Sequence, residues 1–117
     1  GLLYEILVPG SDKKATSVRD EVKVKYRGYL RDGRDFDNNY EKADTARFAL
    51  NRVVKGWGEG LQLVGEGGKI RLYIPSDLGY GAMGRRGTII GPNEPLVFDV
   101  DVIEVIPAEP VEPAATK

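Results

Sequence analysis

The stretch EVKVKYRGYL, Glu21–Leu30, changes character at almost every step: Val22, Val24 and Tyr26 point one way and Lys23, Lys25 and Arg27 the other. Period-two alternation marks a strand with one buried face and one wet face. The pattern returns in KIRLYIP, with Ile70, Leu72 and Ile74 on one side, and in LVFDVDVIEVI, with Leu96, Phe98, Val100 and Val102. LLYEILV at 2–8 reads as a further strand closed by Pro9-Gly10. Asp32-Gly33 is a hairpin signal leading into a strand that holds Phe36 and ends at Asp37. RFALNRVV reads as a short extended segment. Trp57, Leu61 and Val64 fall at i, i+4 and i+7, predicting one short helix from about Gly56 to Val64, stopped by EGGK. Residues 11–20 and 38–46 are polar loops, and 75–95 form a long glycine- and proline-bearing excursion of a length that is usually functional or disordered. The expected class is α+β: an antiparallel sheet wrapped against one helix, forming a single domain over 1–106. The remainder, PAEPVEPAATK at 107–117, repeats proline without aromatics and is expected to be a disordered tail.

Two absences remove most catalytic chemistry. The 117 residues contain no cysteine and no histidine. That excludes thiolate nucleophiles, zinc-thiolate sites, Ser-His triads and the usual general base near neutral pH. Lys+Arg is 17 and Asp+Glu is 18, so the net charge of −1 argues against nucleic acid as a partner. No run approaches the ~18 apolar residues of a membrane span. A start at Gly1, without Met or a signal-like segment, leads to the expectation of a processed or excised fragment.

Candidate motifs are few. Gly58-Glu59-Gly60 and Gly65-Glu66-Gly67-Gly68 match neither a dinucleotide fingerprint nor a phosphate loop. Asp35, Asp37, Glu41 and Asp44 lack calcium-loop spacing and read as solvated charges. Asp37 is the exception, because Phe36 beside it must either desolvate it or be matched by a hydrogen-bond donor. No cofactor and no metal site is expected.

The aromatics carry more. VVKGWGEGL places the chain's only tryptophan, Trp57, among Gly56, Gly58 and Gly60. Tyr26, Phe36, Phe48, Trp57, Tyr80 and Phe98 are spread over the predicted strands, the helix start and the long loop. They read either as an aromatic-rich core or as an apolar pocket with a few aimed donors. The polar atoms of Tyr26, Tyr80 and Trp57 add little to a core, since each needs a partner.

Taken in order, VKVKYRGYLRDGRDFDNNY, FALNRVVKGWGEGLQLV, GGKIRLYIPSDLGYG and GPNEPLVFDVDVIEV resemble the FKBP-type peptidyl-prolyl cis-trans isomerases, in register from about Leu2 to Ile106. The resemblance implies a strongly twisted antiparallel sheet curled around a short helix, with a pocket between them. It implies acceleration of rotation about the peptide bond preceding proline. The binding residues it implies are Tyr26, Phe36, Asp37, Phe48, Val53, Val54, Trp57, Tyr80, Ile90 and Phe98. Among them Tyr26, Phe36, Asp37 and Tyr80 bear on turnover, Trp57 forms the floor beneath the proline ring, and the Val54 N–H and Tyr80 hydroxyl bond substrate or a macrolide such as tacrolimus or rapamycin.

The loop MGRRGTIIGPN departs from the family, with Arg85-Arg86 where histidine is common, Gly91 where many members have proline, and one residue more than usual. That extra residue leaves Ile89 and Ile90 to compete for the pocket position. Ala46 replaces an aromatic of several relatives, implying a more open side. FDNNYEK, GGKIRLYIPSDLGYG and GPNE are most similar to the bacterial macrophage-infectivity-potentiator (Mip/FkpA-like) branch. That likeness implies a periplasmic or outer-membrane-associated protein, made a homodimer by an N-terminal helical domain not in this chain. Proline-containing polypeptides are the implied partners. An FKBP-like chaperone or binding module with little isomerase activity is the alternative, as is a scaffold that recruits a partner through residues 81–93.

Overall fold

The computed structural model describes residues 1–40, 42 and 44–108. Glu41 and the tail expected at 107–117, from residue 109 onward, lie outside them. Strands β1 (Leu3–Val8), β2 (Glu21–Tyr29), β3 (Asp35–Asn38), β4 (Ala46–Ala49), β5 (Lys69–Ile74) and β6 (Leu96–Ile106) make one antiparallel sheet. Its order is β1-β5-β6-β2-β3, and β4 also pairs with β2. Helix α1 (Lys55–Gly60) packs on β5. No helix among the described residues is long and apolar enough to cross a membrane.

The alternation of β2 is realised residue by residue. Val22, Val24 and Tyr26 are buried, while Lys23, Lys25 and Arg27 lie on the other, wetter face. Ile70, Leu72 and Ile74 of β5 and Leu96, Phe98, Val100 and Val102 of β6 complete the same core face. Past Val102 the alternation slips: Val24 pairs with Val102 and Lys23 with Glu104, so Ile103 is an extra residue in β6. This bulge puts Ile103 in solvent and returns Val105 to the core.

The helix is shorter than its apolar spacing predicts, ending at Gly60 instead of Val64. Three of its six residues are glycine, and so short a helix has little stability of its own. The side-chain amide of Gln62 donates to the Gly58 carbonyl at 2.8 Å, filling the place of the next backbone N–H. Leu61 and Val64 are buried all the same, in the turn that follows. The glycines serve packing. A Cβ on Gly56 would come within 2.7 Å of Ile74, and one on Gly60 within 2.4 Å of Leu72. Gly56 lies inside the helix, which begins at Lys55, and is pressed against the sheet. RFALNRVV, expected to be extended throughout, passes from β4 into a 3-10 turn at Leu50–Arg52, where the buried Leu50 anchors the chain.

Candidate functional site

Between the sheet and α1 lies a cavity of about 510 Å³. Each element contributes to it by position. Tyr26 comes from β2, Phe36 and Asp37 from β3, Phe48 from β4, Trp57 from α1 and Phe98 from β6. Val53 and Val54 enter from the link between the 3-10 turn and α1, and Tyr80 from the excursion after β5.

Trp57 is the floor. Tyr26, Phe48 and Phe98 stand nearly perpendicular to its plane, at 86°, 88° and 84°, with ring centroids 5.2, 5.4 and 5.2 Å away. Edge-to-face pairs at such distances each add about 0.5–1.5 kcal/mol beyond burial. The indole is 3% exposed and its Nε1–H has no hydrogen-bond partner among the described residues. An orphaned buried donor costs about 1–3 kcal/mol, which phenylalanine in the same place would avoid. Trp57 belongs to the buried core cluster and also lines the cavity, so the ring serves packing and forms part of the cavity wall.

Phe36 meets Phe98 edge-to-face at 5.4 Å. Gly28 makes that contact possible. It occupies a core-face position of β2, and a Cβ there would come within 2.7 Å of both rings. A glycine standing where an alternating strand calls for an apolar side chain is a sequence signal of close approach, and the sequence reading passed over it.

Polar groups gather at the rim. The Tyr26 hydroxyl donates to Asp37 Oδ2 at 2.5 Å, and the Asn38 N–H donates to Asp37 Oδ1 at 2.9 Å. Asp37 is exposed, so hydrogen-bond donors, and not burial by aromatics, answer its place beside Phe36. Burial and then the hydrogen bond to Asp37 push the Tyr26 hydroxyl well above its ordinary range. The Tyr80 hydroxyl accepts from Arg85 Nη1 at 3.2 Å and keeps its own proton to donate.

Tyr26 is positioned by a residue the sequence did not advertise. β3 pairs with Arg27–Tyr29 and β4 with Glu21–Val24, which leaves Lys25 and Tyr26 between two partners. The buried Asn39 fills that gap. Its Oδ1 accepts from the Tyr26 N–H at 2.6 Å, its N–H donates to the Tyr26 carbonyl at 3.0 Å, and its Nδ2 donates to the Val24 carbonyl at 3.1 Å. An asparagine inside a polar loop reads as solvated, so no local signal marked it.

The structure brings nine of the ten expected residues around one cavity: Tyr26, Phe36, Asp37, Phe48, Val53, Val54, Trp57, Tyr80 and Phe98. Ile90 is not among its lining. It is 3% exposed and packed into the core, while Ile89 is 40% exposed. Its carbonyl accepts from the Arg85 N–H at 3.0 Å and its N–H donates to Thr88 Oγ1 at 3.1 Å, a strap that turns its side chain to structural use. Arg52, Gly79 and Arg85 line the cavity without having been expected there.

A family model described as FKBP-type peptidyl-prolyl cis-trans isomerase matches residues 12–103. The chain belongs to that family. This FKBP domain is 47% identical over 107 residues to a probable FKBP-type peptidyl-prolyl cis-trans isomerase of Haemophilus influenzae, covering 92% of the chain and 44% of that protein. It is 45% identical over 105 residues to a macrophage infectivity potentiator of Trypanosoma cruzi, covering 90% of the chain and 53% of the relative. The chain thus spans about half the length of these curated relatives. The crystal structure of FkpA from Escherichia coli superposes with a TM-score of 0.85 at 44% identity, covering 93% of this chain and 50% of that one. The antiparallel sheet with one short helix is the fold of FKBP-type isomerases.

Proposed function

We propose that this FKBP domain accelerates cis-trans rotation about Xaa-Pro bonds, using the Trp57-floored cavity to hold the proline ring. The observation that carries the proposal is the build of the cavity: Trp57 meets Tyr26, Phe48 and Phe98 edge-to-face, and all four rings line one concave site.

The absence of histidine and cysteine suits this reaction, because no covalent bond is made or broken. The barrier of about 18–20 kcal/mol comes from partial double-bond character in the C–N link. Catalysis then consists of favouring the twisted amide over both planar forms. An aromatic cavity withdraws the amide from water, which disfavours its charge-separated planar form. Trp57 and Phe98 hold the ring while the preceding carbonyl turns. The Val54 N–H and the Tyr80 hydroxyl fix the flanking peptide. Accepting from Arg85, the Tyr80 hydroxyl keeps its own proton free to donate to the peptide. Asp37, fastened to Tyr26, senses the dipole of the turning carbonyl.

The test is a protease-coupled or exchange assay on an Xaa-Pro peptide, with and without rapamycin. Acceleration abolished by rapamycin is expected. A rate equal to the uncatalysed background would leave only a chaperone or binding module. The likeness to relatives named FkpA and macrophage infectivity potentiator supports a periplasmic or outer-membrane-associated setting and a dimeric whole protein. Fractionation and sedimentation of the full-length product test both.

A further inference from the structure

The cavity rim carries a charge arrangement that proline binding does not need. Arg52 and Arg85 both line the cavity and both are exposed. Lys55 opens α1 one residue after Val54, and Arg86 follows Arg85. None of these four forms an ion pair among the described residues. Several cations elsewhere are paired among the described residues, Arg27 with Asp35, Arg47 with Glu21, Arg71 with Asp99 and Lys69 with Asp101, while others such as Lys14, Arg19 and Arg31 are not; what sets Arg52 and Arg85 apart is that they line the cavity. Lys55 lines a neighbouring pocket with Glu59, so the cavity's own cations are Arg52 and Arg85, in a chain that is net −1 as a whole. The one acid lining the cavity, Asp37, is already engaged by Tyr26 and the Asn38 N–H.

Both arginines stand on fixed backbone. Arg52 closes a 3-10 turn whose first residue, Leu50, is 2% exposed. Arg85 is held by its N–H to the Ile90 carbonyl at 3.0 Å and by the Thr88 hydroxyl on its own carbonyl at 2.7 Å. Its Nη1 lies 3.2 Å from the Tyr80 oxygen, which leaves the remaining guanidinium donors unspent. Guanidinium forks match carboxylates in geometry as well as charge. Two guanidinium groups against the single carboxylate of Asp37 leave the lining with an excess of positive charge, which draws ligands of the opposite sign.

We infer that Arg52 and Arg85 make this a site for prolines flanked by acidic residues, their guanidinium groups receiving the carboxylates of Asp or Glu beside the proline. The inference rests on the proposed use of the cavity for proline, and the experiment separates the two.

Three peptides carry Glu-Pro-Glu, Gln-Pro-Gln or Lys-Pro-Lys in one otherwise neutral sequence. Binding is read from the fluorescence of Trp57, the chain's only tryptophan, and turnover from the isomerisation assay. At low salt the expected order of affinity is Glu, Gln, Lys, with Glu over Lys by about fivefold, in keeping with exposed ion pairs. The preference should shrink as added salt shortens the screening length. It should disappear in the double variant Arg52→Gln/Arg85→Gln and persist in Arg52→Lys/Arg85→Lys, which keeps the charge.

Equal binding of the Glu and Lys peptides by the unaltered domain, or a preference that survives in the double Gln variant, would overturn the inference. Acceleration of the Gln peptide without any ranking leaves the isomerase reading standing and removes the inference alone. A ranking in binding without acceleration of any peptide does the reverse.

Discussion

The Tyr26 hydroxyl donates to the Asp37 carboxylate across 2.5 Å, tying a buried ring of β2 to an exposed acid at the cavity rim. The two groups therefore act as one unit. A hydrogen bond to a charged partner is worth about 1.5–3 kcal/mol, so Asp37→Asn should lower kcat/KM by about tenfold. Rapamycin affinity should change far less. Tyr26→Phe should lose a similar amount, and the double variant should be little worse than either single one, as a double-mutant cycle would measure. Additive losses would separate Asp37 from Tyr26 and make Asp37's effect direct.

Trp57→Leu addresses the floor. The other rings come from β2, β4 and β6 and keep their own backbone supports, so the domain should still unfold in one cooperative transition at a lowered Tm. Peptide turnover and rapamycin binding should each fall by about tenfold or more, since the face beneath the proline is gone and a cavity remains. Loss of folding in parallel with loss of binding would return Trp57 to a core role. Far-UV circular dichroism alongside rapamycin titration distinguishes the two.

Much of this geometry could be read from the sequence, and the parts that could not share a physical cause. Strands β2, β5 and β6 are legible because one face is buried and the other wet, which forces period two on the residues. Tyr26, Tyr80 and Trp57 stood out because their polar atoms make them expensive as filler. Gly28, Asn39 and Arg52 were hidden. Their importance lies in what another element brings against them: two rings over Gly28, an interrupted ladder around Asn39, a cavity beside Arg52. The helix was overextended for the same reason. Leu61 and Val64 are buried as the spacing predicts, but a turn can bury them as well as a helix can. Ile90 kept its burial and lost its place in the cavity, because the bonds that close the loop decide which isoleucine turns inward.

Gly28→Ala should strike stability and site together. The new Cβ would lie within 2.7 Å of both Phe36 and Phe98, so the two rings, now 5.4 Å apart, would have to shift to admit it. Overpacking of this kind costs typically about 1–3 kcal/mol. Denaturant titration should show that loss, and rapamycin binding should weaken with it. A variant of unchanged stability and affinity would mean that the rings do not need the space Gly28 leaves.

Gly60→Leu tests clearance under the helix without touching the cavity lining. Even a Cβ would stand 2.4 Å from Leu72, which is fully buried in β5. A whole leucine has nowhere to go, so the domain should be largely unfolded or insoluble at 37 °C. Gly60→Ala should be milder, because Leu72 meets it with the end of a flexible side chain. A stable, well-folded Gly60→Leu protein would show that α1 can lift from the sheet at little expense.

Asp20 supplies a pH-dependent term. It is 4% exposed, and its carboxylate accepts from the backbone N–H groups of Ala108 at 2.8 Å, Thr16 at 2.9 Å and Ser17 at 3.2 Å. Its own carbonyl accepts from the Leu50 N–H at 3.0 Å, so the same residue braces the turn that leads to Val53 and Val54. The Ala108 bond, with those from Thr16 and Ser17, outweighs desolvation and holds the acid below its ordinary value of 3.8. A lowered folded pKa contributes stability that is complete above the unfolded value and is lost as pH falls through the folded one. Asp20→Asn should therefore be less stable by about 1–3 kcal/mol near neutral pH, where its amide presents donors to donors. The difference should hold down to about pH 5 and close as pH drops below 3.8, where the native carboxylate also takes a proton. Urea unfolding of both proteins across that range reads it directly, and a gap that stays constant into acid would show that the ionised form of Asp20 contributes nothing.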